Sequence, residues 1–264
     1  MQVFGFSYEG YVLDTHILFP HVFLASMSTL SETNERYKQC ANEFLQGKLH
    51  WIILPSNEDE FNLLILEDFR RFLAEIRIAA IRCRDRGERA FYSECVAQIR
   101  VRTFPRDFLV YWNTNKEYFL GWLTLDRDRI QREERRLLRD VLEMYWDLTD
   151  HAEIKIKKWE NPEHDRDSRA FYGELQRLKE EGLIRPEAHN EDFRLISDCL
   201  VYRSYFLELG ILYLVTDDGT CFDTVQAIVH CTDEQGKAVH VSGFDSKRPI
   251  DIIRAIESAH SKNR

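Results

Sequence analysis

The chain lacks the motifs that mark several large enzyme classes. No G-x-G-x-x-G, G-x-x-x-x-G-K-[ST] or G-x-S-x-G motif is present, so the usual signatures of dinucleotide-binding, P-loop and serine-hydrolase proteins are missing. H-E-x-x-H is also absent, and no histidine is paired with a cysteine at zinc-ligand spacing. The sequence therefore predicts neither a nucleotide cofactor nor a zinc site.

Cysteines, glycines and long apolar runs are also scarce. The 6 cysteines show no C-x-x-C pair and no regular spacing, which argues against a disulfide framework and fits a reducing, cytoplasmic compartment. No N-terminal basic stretch leads into an apolar run, and charges interrupt every apolar segment well before bilayer length. We therefore expect an unexported protein with no membrane partner. With 11 glycines and 6 prolines in 264 residues, no flexible linker is indicated.

Charge is abundant but has the wrong sign for general nucleic-acid binding. Charged residues make up 31% of the chain, and the formal net charge is -9. Because an acidic surface repels phosphates, any nucleic-acid binding must be local.

Several short apolar runs are followed by polar or acidic residues and predict buried parallel strands. These runs are Tyr11 to Leu13, Trp51 to Leu54, Ile211 to Thr216 and Ala238 to Ser242. Apolar residues at helical spacing predict helices over 59–82, around 137–146, around 171–178 with a stop near Gly182 and Pro186, and over 249–259. The alternation implies an α/β protein with a parallel sheet of four or five strands. Residues 95–125 are left unassigned.

Acidic residues follow these predicted strands or open the helices after them. Asp14 and Asp218 stand at strand ends, Glu60 lies at the start of the helix after the second strand, and Asp192 opens a helix before the third. Because the carboxyl ends of parallel strands share one edge of a sheet, these acids could meet there. Carboxylate oxygens are the ligands that Mg²⁺ and Mn²⁺ prefer. Singly, Asp14 and Asp192 could equally be helix N-caps.

Four segments resemble the motifs of the PIN-domain family, in the same order. Val12-Leu13-Asp14-Thr15-His16 resembles the first motif, with His16 where Asn is more usual. The second and third are matched by Ile53-Leu54-Pro55 through Glu60 and by Asp192-Phe193 through Leu200, and the fourth by Leu214-Val215-Thr216-Asp217-Asp218. The resemblance covers roughly the first and last thirds of the chain.

The resemblance implies specific roles for these residues. Asp14, Glu60, Asp192 and Asp218 would be the catalytic, metal-binding acids, and Thr216 would orient the last carboxylate or a water. Asp217 is a further metal-ligand candidate, and Asp198 is held in reserve. Because Glu58, Asp59 and Glu60 are all acidic, the sequence leaves open which of the three is the second acid.

The resemblance also implies a fold and a function. The fold would be a PIN-like three-layer α/β/α domain built from residues 1–76 and 191–264, with a mostly helical insertion over 77–190. The function would be that of a Mg²⁺- or Mn²⁺-dependent endoribonuclease that hydrolyses RNA phosphodiester bonds. Two alternatives stay open: an inactive scaffold that recruits a protein partner through the insertion, and a nuclease acting on structured DNA. A homodimer is an expectation from the family.

Two arginine-rich segments outside the motifs have a simpler explanation than RNA binding. Arg100, Arg102 and Arg106 alternate with aromatic residues as in some RNA-binding surfaces, but we interpret the rings as core and the arginines as solvated. The arginines of 127–139 are interleaved with acids, which is typical of a salt-bridged helix face.

Overall fold

The computed structural model of the protein describes residues 8–24, 31–47, 49–101, 106–206, 209–230 and 243–262. The chain divides into two compact units. Unit 1 consists of residues 1–20, 31–60 and 148–264, and unit 2 of residues 21–30 and 61–147. The division differs from the boundaries expected from sequence: unit 2 begins at Phe61, ends at Asp147, and also takes in 21–30.

Unit 1 is an α/β structure built on a five-stranded, all-parallel sheet flanked by helices. The strand order is β3-β2-β1-β4-β5. The strands are β1 (Tyr8–Leu13), β2 (His50–Ile53), β3 (Ile154–Lys155), β4 (Leu209–Val215) and β5 (Phe244–Lys247). β1 is therefore central, with β2 on one side and β4 on the other.

The central strands are buried in the sheet because their residues are apolar on both faces. Residues 11–13 of β1, 51–53 of β2 and 212–215 of β4 are all buried. Such continuous apolar runs are typical of parallel strands covered on both faces. The predicted strands at 11–13, 51–54 and 211–216 are confirmed. The strand predicted at 238–242 lies outside the described residues, and β5 begins just after it.

The helices of unit 1 follow the strands along the chain. α1 (Thr15–Phe23) and α2 (Glu32–Leu45) come after β1, and α3 (Pro55–Asn62) comes after β2. The later helices of this unit, labelled by their place in the whole chain, are α8 (Pro162–Glu180), α9 (Asn190–Tyr205), α10 (Gly219–His230) and α11 (Pro249–Lys262). The helix stop predicted at Gly182 is confirmed, since α8 ends two residues before this glycine and Gly182 adopts φ 76°.

Unit 2 is helical throughout its described part. A π-helical turn (Leu63–Phe69) leads into α4 (Arg70–Cys83), so the helix predicted over 59–82 is interrupted in its hydrogen-bond pattern but not in its path. α5 (Glu88–Val101), α6 (Arg106–Leu120), a 3₁₀ turn (Gly121–Thr124) and α7 (Arg127–Thr149) complete it. The unassigned segment 95–125 is therefore helical where it is described.

Aromatic rings form the core of unit 2. Phe72 packs against Phe108 at 5.3 Å between ring centroids, and Trp112 stacks on Phe119 at 5.5 Å. Phe108, Tyr111 and Trp112 are buried while Arg100 is exposed, which confirms the interpretation of these rings as core. The side chains of Arg102, Phe104 and Arg106 lie outside the described residues.

Two further sequence expectations concern cysteines and membranes. The five cysteines that the structure describes are all buried and free of disulfide bonds. Within the same described part of the chain, no helix combines the length and apolar character needed to cross a membrane.

Candidate metal centre

Asp14 lies at the carboxyl end of the central strand β1 and is held there by four hydrogen bonds. Its backbone N–H donates to the carbonyl of Val215 in β4 at 2.9 Å. The Thr216 hydroxyl donates to Asp14 Oδ2 at 2.7 Å, and the His16 backbone N–H donates to Oδ1 at 3.2 Å. His16 Nδ1 also lies 3.1 Å from Oδ1. The residue is only 6% exposed, so its carboxylate has a fixed direction inside the fold.

Glu60 is the acid of the second segment that joins this site. The Thr15 hydroxyl donates to Glu60 Oε2 at 2.7 Å. Glu58 instead pairs with Lys155, with 3.2 Å between Oε1 and Nζ, and Asp59 is exposed. Of the three acids among which the sequence left the choice open, Glu60 is the one that lies beside Asp14 and His16.

A buried asparagine positions the helix that carries Glu60. The Asn57 side-chain amide donates to the Leu13 carbonyl at the end of β1 at 3.0 Å. Its carbonyl oxygen accepts from the backbone N–H of Leu54 at 3.1 Å. Asn57 thus ties the start of α3 to the strand that ends at Asp14.

Asp192 and Asp218 each cap a helix at the same end of the sheet. Asp192 lies in the first turn of α9 and forms a capping box with His189, whose backbone N–H donates to Asp192 Oδ2 at 3.4 Å. Asp218 Oδ1 accepts from the backbone N–H groups of Thr220 and Cys221 at 2.7 and 2.9 Å, at the start of α10. The capping role considered from sequence for Asp192 is therefore present, and Asp218 has one as well; both acids also belong to the cluster described next.

The four acids lie close enough to perturb one another's ionisation. Burial and repulsion from Asp14 raise the pKa of Glu60 to about 7. Burial and repulsion from Asp14 and Asp218 raise the pKa of Asp192 to about 6. Burial also opposes ionisation of Asp14, but hydrogen bonding and positive charge from His16 leave its pKa below the ordinary value. Burial of Asp218 is likewise outweighed by its cap hydrogen bonds, and its pKa is lowered.

The donor set fits a divalent cation. One ligand atom each from Asp14, His16 and Glu60 can be chosen so that all three lie within 4.8 Å of one another. Asp192 and Asp218 add further carboxylate charge around these atoms. A set rich in carboxylate oxygen suits Mg²⁺ or Mn²⁺.

Asp217, a ligand candidate from sequence, is engaged with cations. Its carboxylate lies 3.9 Å from a guanidinium nitrogen of Arg36 and 3.5 Å from one of Arg248. The Tyr37 hydroxyl donates to it at 3.4 Å. These contacts separate its environment from that of its neighbour Asp218.

Asp198, the reserve acid, is a buried structural group. Its carboxylate accepts from Trp159 Nε1 at 2.9 Å, from the Ser168 hydroxyl at 2.7 Å and from the backbone N–H of Ser56 at 2.9 Å. With these donors, Asp198 ties α9 to α8 and to the start of α3.

Sequence reasoning missed three residues of the site. His16 and Thr15 were noted only as motif positions, and nothing in the pattern marked Asn57. Thr216 was expected to orient the last carboxylate or a water; its hydroxyl donates to Asp14 and accepts from the backbone N–H of Asp218 at 3.1 Å. The D-T-H tripeptide was the one available signal for Thr15 and His16.

Comparisons of the chain with family models, with curated proteins and with solved structures found no match.

Proposed function

We propose that this chain is a PIN-like, metal-dependent endoribonuclease whose unit 1 is a three-layer α/β/α domain. One observation carries the proposal. Acids from four separate segments, at Asp14, Glu60, Asp192 and Asp218, gather at one end of a parallel sheet. The pKa values of Glu60 and Asp192 are raised there, while hydrogen bonds keep those of Asp14 and Asp218 below the ordinary value. Their order along the chain is that of the motifs that the sequence resembles.

The chemistry proposed for the site is hydrolysis of a phosphodiester bond. A bound Mg²⁺ or Mn²⁺ would activate a water and neutralise charge on the scissile phosphate. Asp14 and Glu60 would hold the cation with His16, while Asp192 and Asp218 would complete the negative field that attracts it. Thr15 and Thr216 keep the two buried carboxylates oriented through their hydroxyl hydrogen bonds. No protein nucleophile is required.

Without a bound metal ion, this cluster of buried carboxylates is unfavourable. That cost supports a cation-binding role over a purely structural one. Burial disfavours the charged form of Glu60 and Asp192, and repulsion from neighbouring carboxylates adds to this, so the pKa of each group is raised. Perturbed carboxyl groups of this kind are typical of functional sites.

A cleavage assay with a matched pair of variants tests the proposal. We expect Mn²⁺-dependent cleavage of single-stranded or structured RNA by the wild-type protein and none in EDTA. Asp218→Asn should reduce the rate by about 100-fold or more, since loss of outer-shell partners alone costs roughly 10–100-fold. Asp217→Asn, one residue away but paired with Arg36 and Arg248, should retain most of the activity.

The same assay separates the alternatives. Metal-dependent cutting of branched or flapped DNA, with RNA left intact, would replace the RNA substrate by structured DNA. Equal cleavage by the Asp218→Asn and wild-type proteins would overturn the site assignment, and no cleavage of any substrate would favour an inactive scaffold.

A further inference from the structure

A polar cavity lies wholly within unit 2, between α4 and α7. Its volume is about 190 Å³, which is smaller than the roughly 300–1,000 Å³ of pockets for drug-sized ligands. Each helix turns one face to it, because the lining residues recur at spacings of three, four or seven. These residues are Arg70, Leu73 and Arg77 on α4, and Gln131, Glu134, Arg135 and Leu138 on α7.

Positive charge exceeds negative charge in this cavity. Arg77 Nε lies 3.0 Å from Glu134 Oε2, and both side chains are mostly buried. The pKa of Glu134 is raised by burial, although the charges of Arg77, Arg70 and Arg135 all act to lower it, so all three arginines are near enough to influence this carboxylate. Three arginines and one glutamate leave an excess of two positive charges among the lining residues.

The excess charge is not neutralised by other acids. Among the described residues, neither Arg70 nor Arg135 forms an ion pair. Arginines further along α7 behave differently: Arg136 pairs with Glu133 at 2.8 Å, and Arg139 pairs with Glu143 at 3.7 Å. The salt bridges expected from sequence along this helix are therefore formed by Arg129, Arg136 and Arg139 but not by Arg135, which lines the cavity.

We propose that this cavity binds a phosphate group. Two arginines without acidic partners beside a third, partly buried one match a multiply charged anion that accepts several N–H donors at once. Gln131 adds an amide donor, and Leu73 and Leu138 supply apolar walls beside the charged groups. In a chain of net charge -9, such a local excess of positive charge is where the electrostatic free energy favours anion binding.

The phosphate group could belong to a polynucleotide backbone or to a free phosphate compound. The site is independent of the proposed nuclease activity, because every lining residue lies in unit 2 and binding can be measured with EDTA present.

The test compares the full-length wild-type protein, the double variant Arg70→Gln/Arg135→Gln and the control Arg139→Gln, all in EDTA. Both mutated cavity arginines are exposed at the surface, and thermal melting without ligand checks that folding is retained. Inorganic phosphate and pyrophosphate are titrated with thermal melting as the readout, and a short single-stranded RNA is titrated by fluorescence anisotropy. We expect the double variant to lose roughly tenfold or more in affinity for at least one of these probes, with the control unchanged.

The two probe types identify the source of the phosphate. Weakened RNA binding in the double variant assigns the cavity to a polynucleotide backbone. Weakened phosphate or pyrophosphate binding with unchanged RNA affinity assigns it to a free phosphate compound. Equal affinities of the wild-type and double-variant proteins for every probe, or an equal loss in Arg139→Gln, would overturn the proposal.

Discussion

At the scale of single residues, the candidate metal centre combines two uses of the same side chains. Asp192 and Asp218 satisfy backbone N–H groups at helix starts and also add charge to the cluster around Asp14. A single carboxylate that caps a helix N-terminus is ionised at little cost in free energy, whereas several buried carboxylates close together oppose one another's ionisation. The cluster therefore stores a repulsion that a cation would relieve.

Replacing Glu60 with Gln should stabilise the metal-free protein above neutral pH. The pKa of Glu60 is about 7 in the folded protein against an ordinary value of 4.5. A raised carboxyl pKa means that the folded state binds the proton more tightly, so stability falls as pH rises from 4.5 to 7 and the full cost applies above 7. Glu60→Gln removes that cost and keeps an acceptor for the Thr15 hydroxyl.

Thermal melting in EDTA checks this expectation. The variant should melt a few degrees above wild type at pH 8 and close to it at pH 4, since each kcal/mol shifts the midpoint by roughly 2–4 °C. Asp59→Asn, at an exposed position on the same helix, is the control and should show no such pH-dependent gain. A Glu60→Gln midpoint at or below wild type at pH 8 would contradict the account of this site.

At the scale of elements, the site depends on how α3 is fastened to β1. Asn57 bridges the Leu13 carbonyl and the Leu54 backbone N–H while being almost fully buried. Replacement by Ala leaves a buried carbonyl and a buried N–H without these partners. The sequence of this helix start gave no indication of such a clamp.

Asn57→Ala should lower the free energy of unfolding by about 1–3 kcal/mol and weaken Mn²⁺ binding. The loss of stability follows from the two missing hydrogen bonds, and the loss of affinity from displacement of Glu60. Urea denaturation and Mn²⁺ titration measure the two effects. Asn62→Ala, at an exposed position at the end of α3, should change neither; if it matched Asn57→Ala, the clamp would not be the cause.

A glycine at the start of β5 is required by a close approach. Gly243 adopts φ 79°, and a Cβ there would lie 2.6 Å from the Gly210 carbonyl oxygen of β4. Gly182 has a similar φ of 76° but nothing within 4 Å of a Cβ. The two positions thus differ in space and not in backbone conformation.

Gly243→Ala should therefore destabilise the protein more than Gly182→Ala. The second substitution costs about 1 kcal/mol, from the left-handed backbone conformation alone. The first adds a steric clash that separates β5 from β4, where the Gly243 carbonyl accepts from the Leu212 N–H at 2.8 Å. Denaturant midpoints of the two variants, compared with wild type, decide between them; equal losses would show that the contact relaxes freely.

Elements with a strong periodic pattern could be predicted from sequence, and weakly patterned ones could not. The runs at 11–13, 51–54 and 211–216 are apolar throughout because both faces of each strand are covered. β3 consists of two half-buried residues, Ile154 and Lys155, and a strand this short shows no periodic pattern of apolar residues. Within segment 95–125, Arg100 and Arg102 alternate with Ile99, Val101 and Thr103 like a strand. Residues 88–101 nevertheless form α5, and Phe108 and Trp112 of α6 are buried in an aromatic core.

At the scale of the whole molecule, segments that are far apart in sequence come together in one unit. Unit 1 is assembled from three separate stretches, and the acids of its site span residues 14 to 218. The sequence predicted a meeting of Asp14, Asp192, Asp218 and one of Glu58, Asp59 and Glu60, because each follows or precedes a recognisable strand. It did not predict that 148–190 belongs to the unit that contains the sheet, because the contacts of β3 and α8 with that unit are long-range and leave no local pattern.

The central claim is that Asp14, Glu60, Asp192 and Asp218 form a metal centre, and Mn²⁺ titration calorimetry tests it most directly. We predict that the wild-type protein and Asp217→Asn bind Mn²⁺ with similar affinity, and that Asp14→Asn binds roughly tenfold more weakly or worse. Circular dichroism of each variant confirms the fold. Equal Mn²⁺ affinity of Asp14→Asn and wild type, or no Mn²⁺ binding by the wild-type protein, would contradict the account.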